Sequence, residues 1–184
     1  MSTVLIDTRR AKPSDAGAVA QCHDEAWRTA YQGIIPGPEL EKLVARRGPA
    51  WWDTAIRKGS LIRVLQFGDK IAGYANYGHN RARSLREYDF EIYELYLRPE
   101  FQGLGFGRRL FNDAWRDLAR NDLARNDLAR NKARSCSLIV WALSENESAV
   151  QFYRALDGRA VARSKEKFGS RELDKIAFGW AAKA

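Results

Sequence analysis

Two spacings of apolar residues recur along this chain: short runs typical of strands, and longer runs with the three-to-four-residue spacing of amphipathic helices. The first helical run covers residues 16–31, and Pro13 precedes it in a position that favours the first turn of a helix. Two shorter helices are predicted at residues 39–46 and 50–57, on either side of a Gly-Pro pair.

Seven segments have the composition and length of β-strands. They cover residues 4–10, 61–67, 71–78, 88–97, 137–143, 159–168 and 172–180. Gly68 and Gly169 lie in the short links of two predicted hairpins, and further helices are predicted after Gly105 and at residues 146–155. This order predicts an α/β (α+β) fold with a mixed, mostly antiparallel central sheet of about seven strands and helices on both faces.

The most informative segment is a glycine-rich stretch with the pattern Gln-x-x-Gly-x-Gly at residues 102–107. It follows a predicted strand and opens a predicted helix. Its glycines, Gly103, Gly105 and Gly107, let the backbone turn tightly and bring N–H groups close to a ligand, and the helix start adds the positive end of its dipole. The segment therefore predicts a site for a phosphate group.

Two other phosphate-binding loops do not match this segment. The loop of nucleoside triphosphatases needs Gly-Lys followed by Ser or Thr, and the dinucleotide fingerprint needs a third glycine where Arg108 stands. What remains is the Gln-x-x-Gly-x-Gly pattern itself. The run EIYELYLRP at residues 91–99 precedes it, and Asn-x-x-Ala-x-x-Phe-Tyr at residues 146–153 follows after a further strand.

Together these motifs resemble the GCN5-related N-acetyltransferases (GNAT). The resemblance extends from about residue 7 to residue 180 and is strongest between residues 91 and 156, while residues 9–16 and 26–36 resemble a branch of small bacterial members. It implies that acetyl-CoA is the cosubstrate, with no metal. The residues it places at the coenzyme are Leu95, Tyr96 and Leu97 beside the pantetheine arm, Gln102, Gly103, Leu104, Gly105, Phe106, Gly107 and Arg108 around the pyrophosphate, and Asn146 as a pantetheine contact or helix cap.

The resemblance also implies candidates for catalysis. Tyr153 matches the family tyrosine that protonates the departing thiolate, and Glu91 or Glu94 could accept a proton from the attacking amine. Simple alternation along the strand would place the two glutamates on opposite faces, and a bulge in the strand would change that. Trp27 and Tyr31 fall where the family forms its acceptor pocket, although aromatic residues at helical spacing also suit a core.

Charge and composition restrict the remaining classes of function. The formal net charge is +8, but the basic residues are spread along the chain without a long basic block, so nucleic acid is not the expected partner. The longest clean apolar run has six residues, at 138–143, which excludes a membrane helix there, and we expect a cytoplasmic protein. Cys22 and Cys136 lack the spacing of metal ligands.

The sequence thus predicts an acetyl-CoA-dependent N-acetyltransferase that moves an acetyl group to a primary amine by direct attack on the thioester. A non-catalytic acyl-CoA sensor is the alternative, followed by a basic nucleic-acid-binding protein. The acceptor, a small molecule or a protein amine, is left open by the sequence, as is a homodimer.

One segment departs from the family pattern. The sequence Asp-Leu-Ala-Arg-Asn occurs three times in succession at residues 117–131, within a chain of 184 residues that is expected to form a single domain over residues 1–184. Residues 122–131 are interpreted as a tandem insertion. Each copy advances about 140° around a helix, so Leu118, Leu123 and Leu128 are expected to point in three directions.

Overall fold

The computed structural model describes residues 5–126 and 136–181. Its elements are β1 (Ile6–Arg10), α1 (Ala16–Tyr31), α2 (Gly37–Ala45), α3 (Pro49–Arg57), β2 (Leu61–Phe67), β3 (Lys70–His79), β4 (Phe90–Leu97), α4 (Phe106–Asn126), β5 (Leu138–Leu143), α5 (Glu147–Ala155), β6 (Arg159–Phe168) and β7 (Arg171–Trp180), with 3₁₀ turns at Pro13–Asp15 and Pro99–Phe101. The bounds predicted from the sequence agree to within about two residues. None of the helices described is long and apolar enough to cross a membrane.

The seven strands form one sheet in the order β1-β2-β3-β4-β5-β7-β6. All neighbouring strands are antiparallel except β4 and β5, which are parallel and connected through α4. This confirms the predicted mixed, mostly antiparallel sheet.

Helices cover both faces of the sheet. The three-to-four spacing of Leu110, Phe111, Ala114, Trp115 and Leu118 predicts one buried face of α4. On one face of the sheet, four of these residues are buried against the strands, and Trp115 packs beside them partly buried. On the other face, a second cluster joins α1 and α3 to β2 and β3, with Trp52 fully buried in it. We call these the α4 face and the α1 face.

The central strands β4 and β5 diverge midway along their length. They pair only from Phe90 to Ile92 of β4, yet β4 continues to Leu97 and β5 to Leu143. Beyond Ile92 the edge of β4 that faces β5 is therefore left without a strand partner. The parting opens the centre of the sheet, and the candidate site lies there.

A bulge at Tyr93 interrupts β4. On the neighbouring strand β3, Tyr77 pairs with Ile92 and the adjacent Asn76 pairs with Glu94, so Tyr93 has no partner of its own. The extra residue reverses the alternation of side chains along β4 from that point.

The first copy of the five-residue repeat lies within α4. Asp117 of this copy accepts a hydrogen bond from Tyr77 and pairs with Arg10, whose Nε lies 2.7 Å from its carboxylate. The helix continues through residues 122–126, and residues 127–131 of the predicted insertion lie outside the described part of the chain.

Candidate active site

A cleft of about 580 Å³ lies where β4 and β5 part. Four parts of the chain line it: α1 and the turn after it with Ala26, Thr29, Ala30 and Ile34; β4 with Leu95, Tyr96 and Leu97; the glycine-rich stretch and the start of α4 with Gln102, Gly103, Gly105, Gly107 and Arg108; and the segment at α5 with residues 145–149, 152, 153, 155 and 156. The structure thus brings together three motifs that are far apart in sequence.

The glycine-rich stretch turns directly into α4. Gly103 and Gly105 have φ angles of +75° and +78°, in the left-handed region that favours glycine. Gly107 is needed for a different reason, since a Cβ there would lie 2.9 Å from the Phe152 ring. Because the first N–H groups of a helix have no intrahelical acceptor, this turn presents several free donors at the positive end of the α4 dipole, which suits a phosphate.

The free edge of β4 forms one wall of the cleft. Leu95, Tyr96 and Leu97 lie beyond the last residue that pairs with β5, so backbone groups on that edge can bind an extended ligand as an added strand would. Gln102 braces this wall by donating from Nε2 to the carbonyl of Leu97 at 3.2 Å. Gln102, which was predicted to contact the coenzyme, thus lines the cleft and also forms a structural hydrogen bond.

Asn146 begins α5 at the opposite wall. Its Oδ1 accepts a hydrogen bond from the Ala149 N–H at 3.1 Å, as an N-cap residue does. The same residue lines the cleft, so the two roles that the sequence left open do not exclude each other.

Tyr153 projects from α5 into the cleft. Its ring packs against Phe111, Phe178 and Trp180, and only 6% of the residue is exposed. The hydroxyl makes no hydrogen bond to the part of the chain that the structure describes. Burial, assisted by the neighbouring Tyr31 phenol, raises the pKa of Tyr153, which keeps its proton in place at neutral pH.

Glu91 and Glu94 do not line this cleft; they lie on the α1 face. Glu91 pairs with Gly78 and Glu94 pairs with Asn76 on β3. These two β3 positions lie four and two residues from Tyr74, which packs in the α1-face cluster, so all three share that face. Paired residues on neighbouring strands lie on the same face, and the two glutamates therefore do so as well. Both glutamates are at least nine-tenths buried. Glu94 is also one residue from Leu95 in the cleft wall, whereas Glu91 is four residues away.

Burial raises the pKa of both carboxyl groups. For Glu94, the Arg47 charge and a hydrogen bond from Asn76 Nδ2 at 3.0 Å pull the pKa the other way. For Glu91, the backbone N–H of Arg81 donates to the carboxylate at 2.9 Å and lowers its pKa. The charges of Arg81 and Lys175 also lower the pKa. Both groups are thus poised between desolvation, which favours protonation, and nearby cations.

Arg47, which the sequence gave no reason to select, lies beside Glu94. Its Nη1 is 3.5 Å from the Glu94 carboxylate, and its guanidinium stacks on Trp51 at 3.8 Å from the ring centre. Arg47 lies between α2 and α3, 47 positions before Glu94. Only the packing of the helices on the sheet brings the two together.

Trp27 and Tyr31 belong to an aromatic cluster on the α1 face and do not line the cleft. Tyr31 and Tyr96 share a hydrogen bond of 2.6 Å between their hydroxyls. His23 is buried beside them, 2.7 Å from the Tyr74 hydroxyl, and burial lowers its pKa to about 3. Tyr96 belongs both to this cluster and to the cleft wall, so the cluster adjoins the cleft.

Two residues of the predicted coenzyme loop, Leu104 and Phe106, do not line the cleft. Leu104 is 58% exposed, and Phe106 packs against Phe67 on the α4 face. Arg108 does line the cleft, where its guanidinium donates to the carbonyl of Ala155 at 2.7 Å. Within residues 5–126 and 136–181, no group of three His, Cys, Asp or Glu side chains is arranged to hold a metal ion.

Comparison with known proteins agrees with this geometry. The model of the acetyltransferase (GNAT) family matches residues 20–157. A curated relative, the uncharacterized N-acetyltransferase YuaI of Bacillus subtilis, is 28% identical over 176 residues, covering 96% of this chain and 93% of the relative.

Solved structures share the fold. The PaiA N-acetyltransferase of Thermoplasma acidophilum in complex with coenzyme A aligns at a TM-score of 0.64 and 14% identity, over 93% of this chain and 98% of that one. YncA of Salmonella typhimurium with acetyl-CoA aligns at a TM-score of 0.62 and 19% identity, over 96% and 93%. Because the family model covers most of its length, this chain belongs to the acetyltransferase (GNAT) family.

Proposed function

We propose that the protein transfers an acetyl group from acetyl-CoA to a primary amine by direct attack of the amine on the thioester. The observation that carries the proposal is the cleft between β4 and β5, with free backbone donors at the start of α4 and the Tyr153 hydroxyl on its opposite wall. The structures of PaiA in complex with coenzyme A and of YncA with acetyl-CoA support this choice of ligand.

Binding of the coenzyme uses the chain's own backbone. The N–H groups from Gly103 to Arg108 bind the pyrophosphate, and the free edge of β4 at Leu95, Tyr96 and Leu97 holds the pantetheine arm in an extended form. Bound in this way, acetyl-CoA supplies the thioester that the amine attacks. The first N–H group on this edge, that of Leu95, stabilises the oxyanion that develops.

Glu94 is the base in this proposal. An alkyl ammonium must lose a proton before it can attack, and the pKa of Glu94, raised by burial, makes its carboxylate a better acceptor than an exposed one. Glu94 adjoins Leu95, and its charge acts on the phenols of Tyr31 and Tyr96, of which Tyr96 lines the cleft. Glu91, farther along the same face, is the alternative base and would act through water.

Tyr153 is the acid. Its hydroxyl gives a proton to the thiolate as the C–S bond breaks, so that coenzyme A leaves as the free thiol. The first proton of the ammonium passes to the glutamate and from there to solvent, the nitrogen loses its second proton to solvent after the attack, and the acetyl group ends on the nitrogen. The tyrosine then recovers its proton from solvent.

The test combines binding and turnover. Acetyl-CoA should raise the melting temperature of the protein without a divalent metal, and a panel of primary amines should yield a member that releases free thiol from acetyl-CoA. A melting temperature unmoved by saturating acetyl-CoA contradicts the proposal. Binding of acetyl-CoA without turnover on any amine would favour the sensor instead.

A further inference from the structure

The loop between β3 and β4, residues 80–89, is ordered by its own hydrogen bonds. Asn80 organises it: its side-chain amide donates to the carbonyls of Leu85 and Tyr88 at 2.6 and 3.0 Å, and its Oδ1 accepts from the Ala82 N–H at 2.7 Å. Leu85 anchors the loop to the sheet and is only 5% exposed.

Three arginines surround a cup of about 400 Å³ in this loop, Arg81, Arg83 and Arg86. None of them forms an ion pair with the part of the chain that the structure describes, although ten other arginines do. Asp89, the acid in the cup, instead accepts a hydrogen bond from the Ser137 hydroxyl at 2.9 Å. With three arginines against one aspartate, the lining of the cup carries a net positive charge.

The cup adjoins the face on which the amine is proposed to react. Leu85 and Tyr88 pack with Ile139, which pairs with Glu91 and shares its face. Arg81 joins the loop to that face, because its N–H donates to Glu91 and its guanidinium stacks on Tyr93 at 3.5 Å from the ring centre. A ligand lying along β4 could thus reach both the cup and Leu95.

The distance from Glu91, beside the cup, to Leu95, in the cleft wall, sets the length of that ligand. Glu91 and Leu95 are four residues apart on a bulged strand, which at about 3.3 Å per residue corresponds to about 10–13 Å. An extended peptide covers this distance in three or four residues, and a small amine would need a chain of similar length.

We propose that the arginine cup binds an anionic group, a carboxylate or a phosphate, carried by the amine acceptor about 10–15 Å from the amine that is acetylated. The inference rests on the proposed transfer to an amine, and adds the class of acceptor. Guanidinium groups recognise both carboxylates and phosphates, so the two sources share one chemistry at the cup.

Matched pairs of acceptors test the inference. One arm uses five-residue peptides with a free N-terminal amine and either Asp or Asn at the fourth and fifth positions; the other uses long alkylamines that end in phosphate or in hydroxyl. We expect the anionic member of at least one pair to have a KM lower by about tenfold with kcat little changed, and the advantage to shrink at high salt. The arm that shows it identifies the source of the anion.

The double variant R83Q/R86Q should abolish this preference, and R159Q/R163Q, which removes the same charge from exposed positions on β6, should keep it. Equal KM values within every pair, or a preference that survives R83Q/R86Q, would overturn the inference while leaving amine acetylation intact. If no amine is acetylated, calorimetric titration of the same acceptor pairs into CoA-saturated protein measures their Kd values directly. Equal Kd values for the two members of every pair overturn the inference. A lower Kd for the anionic member that is lost in R83Q/R86Q but kept in R159Q/R163Q supports it.

Discussion

Glu91 and Glu94 lie on the same face of the sheet although they are three positions apart on one strand. The bulge at Tyr93 is the cause. Because Tyr93 is an extra residue without a partner on β3, the alternation of side chains shifts by one position between Glu91 and Glu94. Both carboxylates are consequently on the face of the aromatic cluster, and the choice between them as base becomes a matter of distance from Leu95.

Replacing Glu94 tests that choice. In E94Q, the turnover number should fall by roughly 10²- to 10⁴-fold, because the amine loses its proton acceptor, while acetyl-CoA affinity stays the same. E91Q is the matched change on the same face and should cost much less. Steady-state kinetics with a saturating amine measure both, and a larger loss in E91Q would transfer the role of base to Glu91.

The pH profile provides a second test of the same group. A base must be ionised, so kcat should fall as the pH drops through the pKa of Glu94. Arg47 lowers this pKa against the effect of burial, and R47Q should therefore raise it and move the acidic limb of the profile to higher pH. An acidic limb that stays in place, or moves to lower pH, would show that Glu94 does not control it.

Removing only the hydroxyl of Tyr153 tests the acid. In Y153F, turnover should fall by roughly 10²- to 10⁴-fold with little change in coenzyme affinity. Y77F is a suitable control, because it deletes a buried hydroxyl that donates to Asp117 and does not line the cleft. That variant should lose about 1 kcal/mol of stability but no turnover at temperatures below its melting point. A full turnover number in Y153F contradicts the acid role unless pre-steady-state kinetics show that product release limits the unaltered enzyme.

A bulky acid at Gly105 should abolish coenzyme binding. G105E places a carboxylate beside the donors of the α4 turn and also forces a side chain into the left-handed region. G59E carries the same strain, at φ +83° in the turn after α3, without reaching the cleft. Both variants should melt at lower temperature, but only G105E should lose the rise in melting temperature that acetyl-CoA produces.

Deleting residues 122–131 should leave a folded and active protein. One copy of the repeat remains, and with it the Asp117 contacts to Arg10 and Tyr77 and the buried Leu118. Far-ultraviolet circular dichroism, melting temperature and thiol release compare the deletion with the full chain. Loss of folding, or dissociation of an oligomer on deletion, would mean that the repeat packs against something. D117N, which breaks the retained contacts, should by contrast lower the free energy of unfolding by about 1–3 kcal/mol.

The elements and their order can be predicted from the spacing of apolar residues along the chain. Apolar spacing is a local property, so it predicted the seven strands, the amphipathic helices and the buried stripe of α4, all of which the structure confirms. The positions of Gly103 and Gly105 in the glycine-rich stretch could also be predicted, because a left-handed φ angle is a local requirement. Even so, the α4-side position of Phe106 and the exposure of Leu104 could not be seen in the motif.

How these elements pack against one another cannot be predicted from that spacing. The parting of β4 and β5, the bulge at Tyr93, and the approach of Arg47 to Glu94 depend on pairing and packing between distant segments. So does the arginine cup, whose charge was visible in the sequence but whose place beside Glu91 was not. Such relationships arise from strand register and helix docking, which are set by the whole core and leave no mark in the spacing of neighbouring residues.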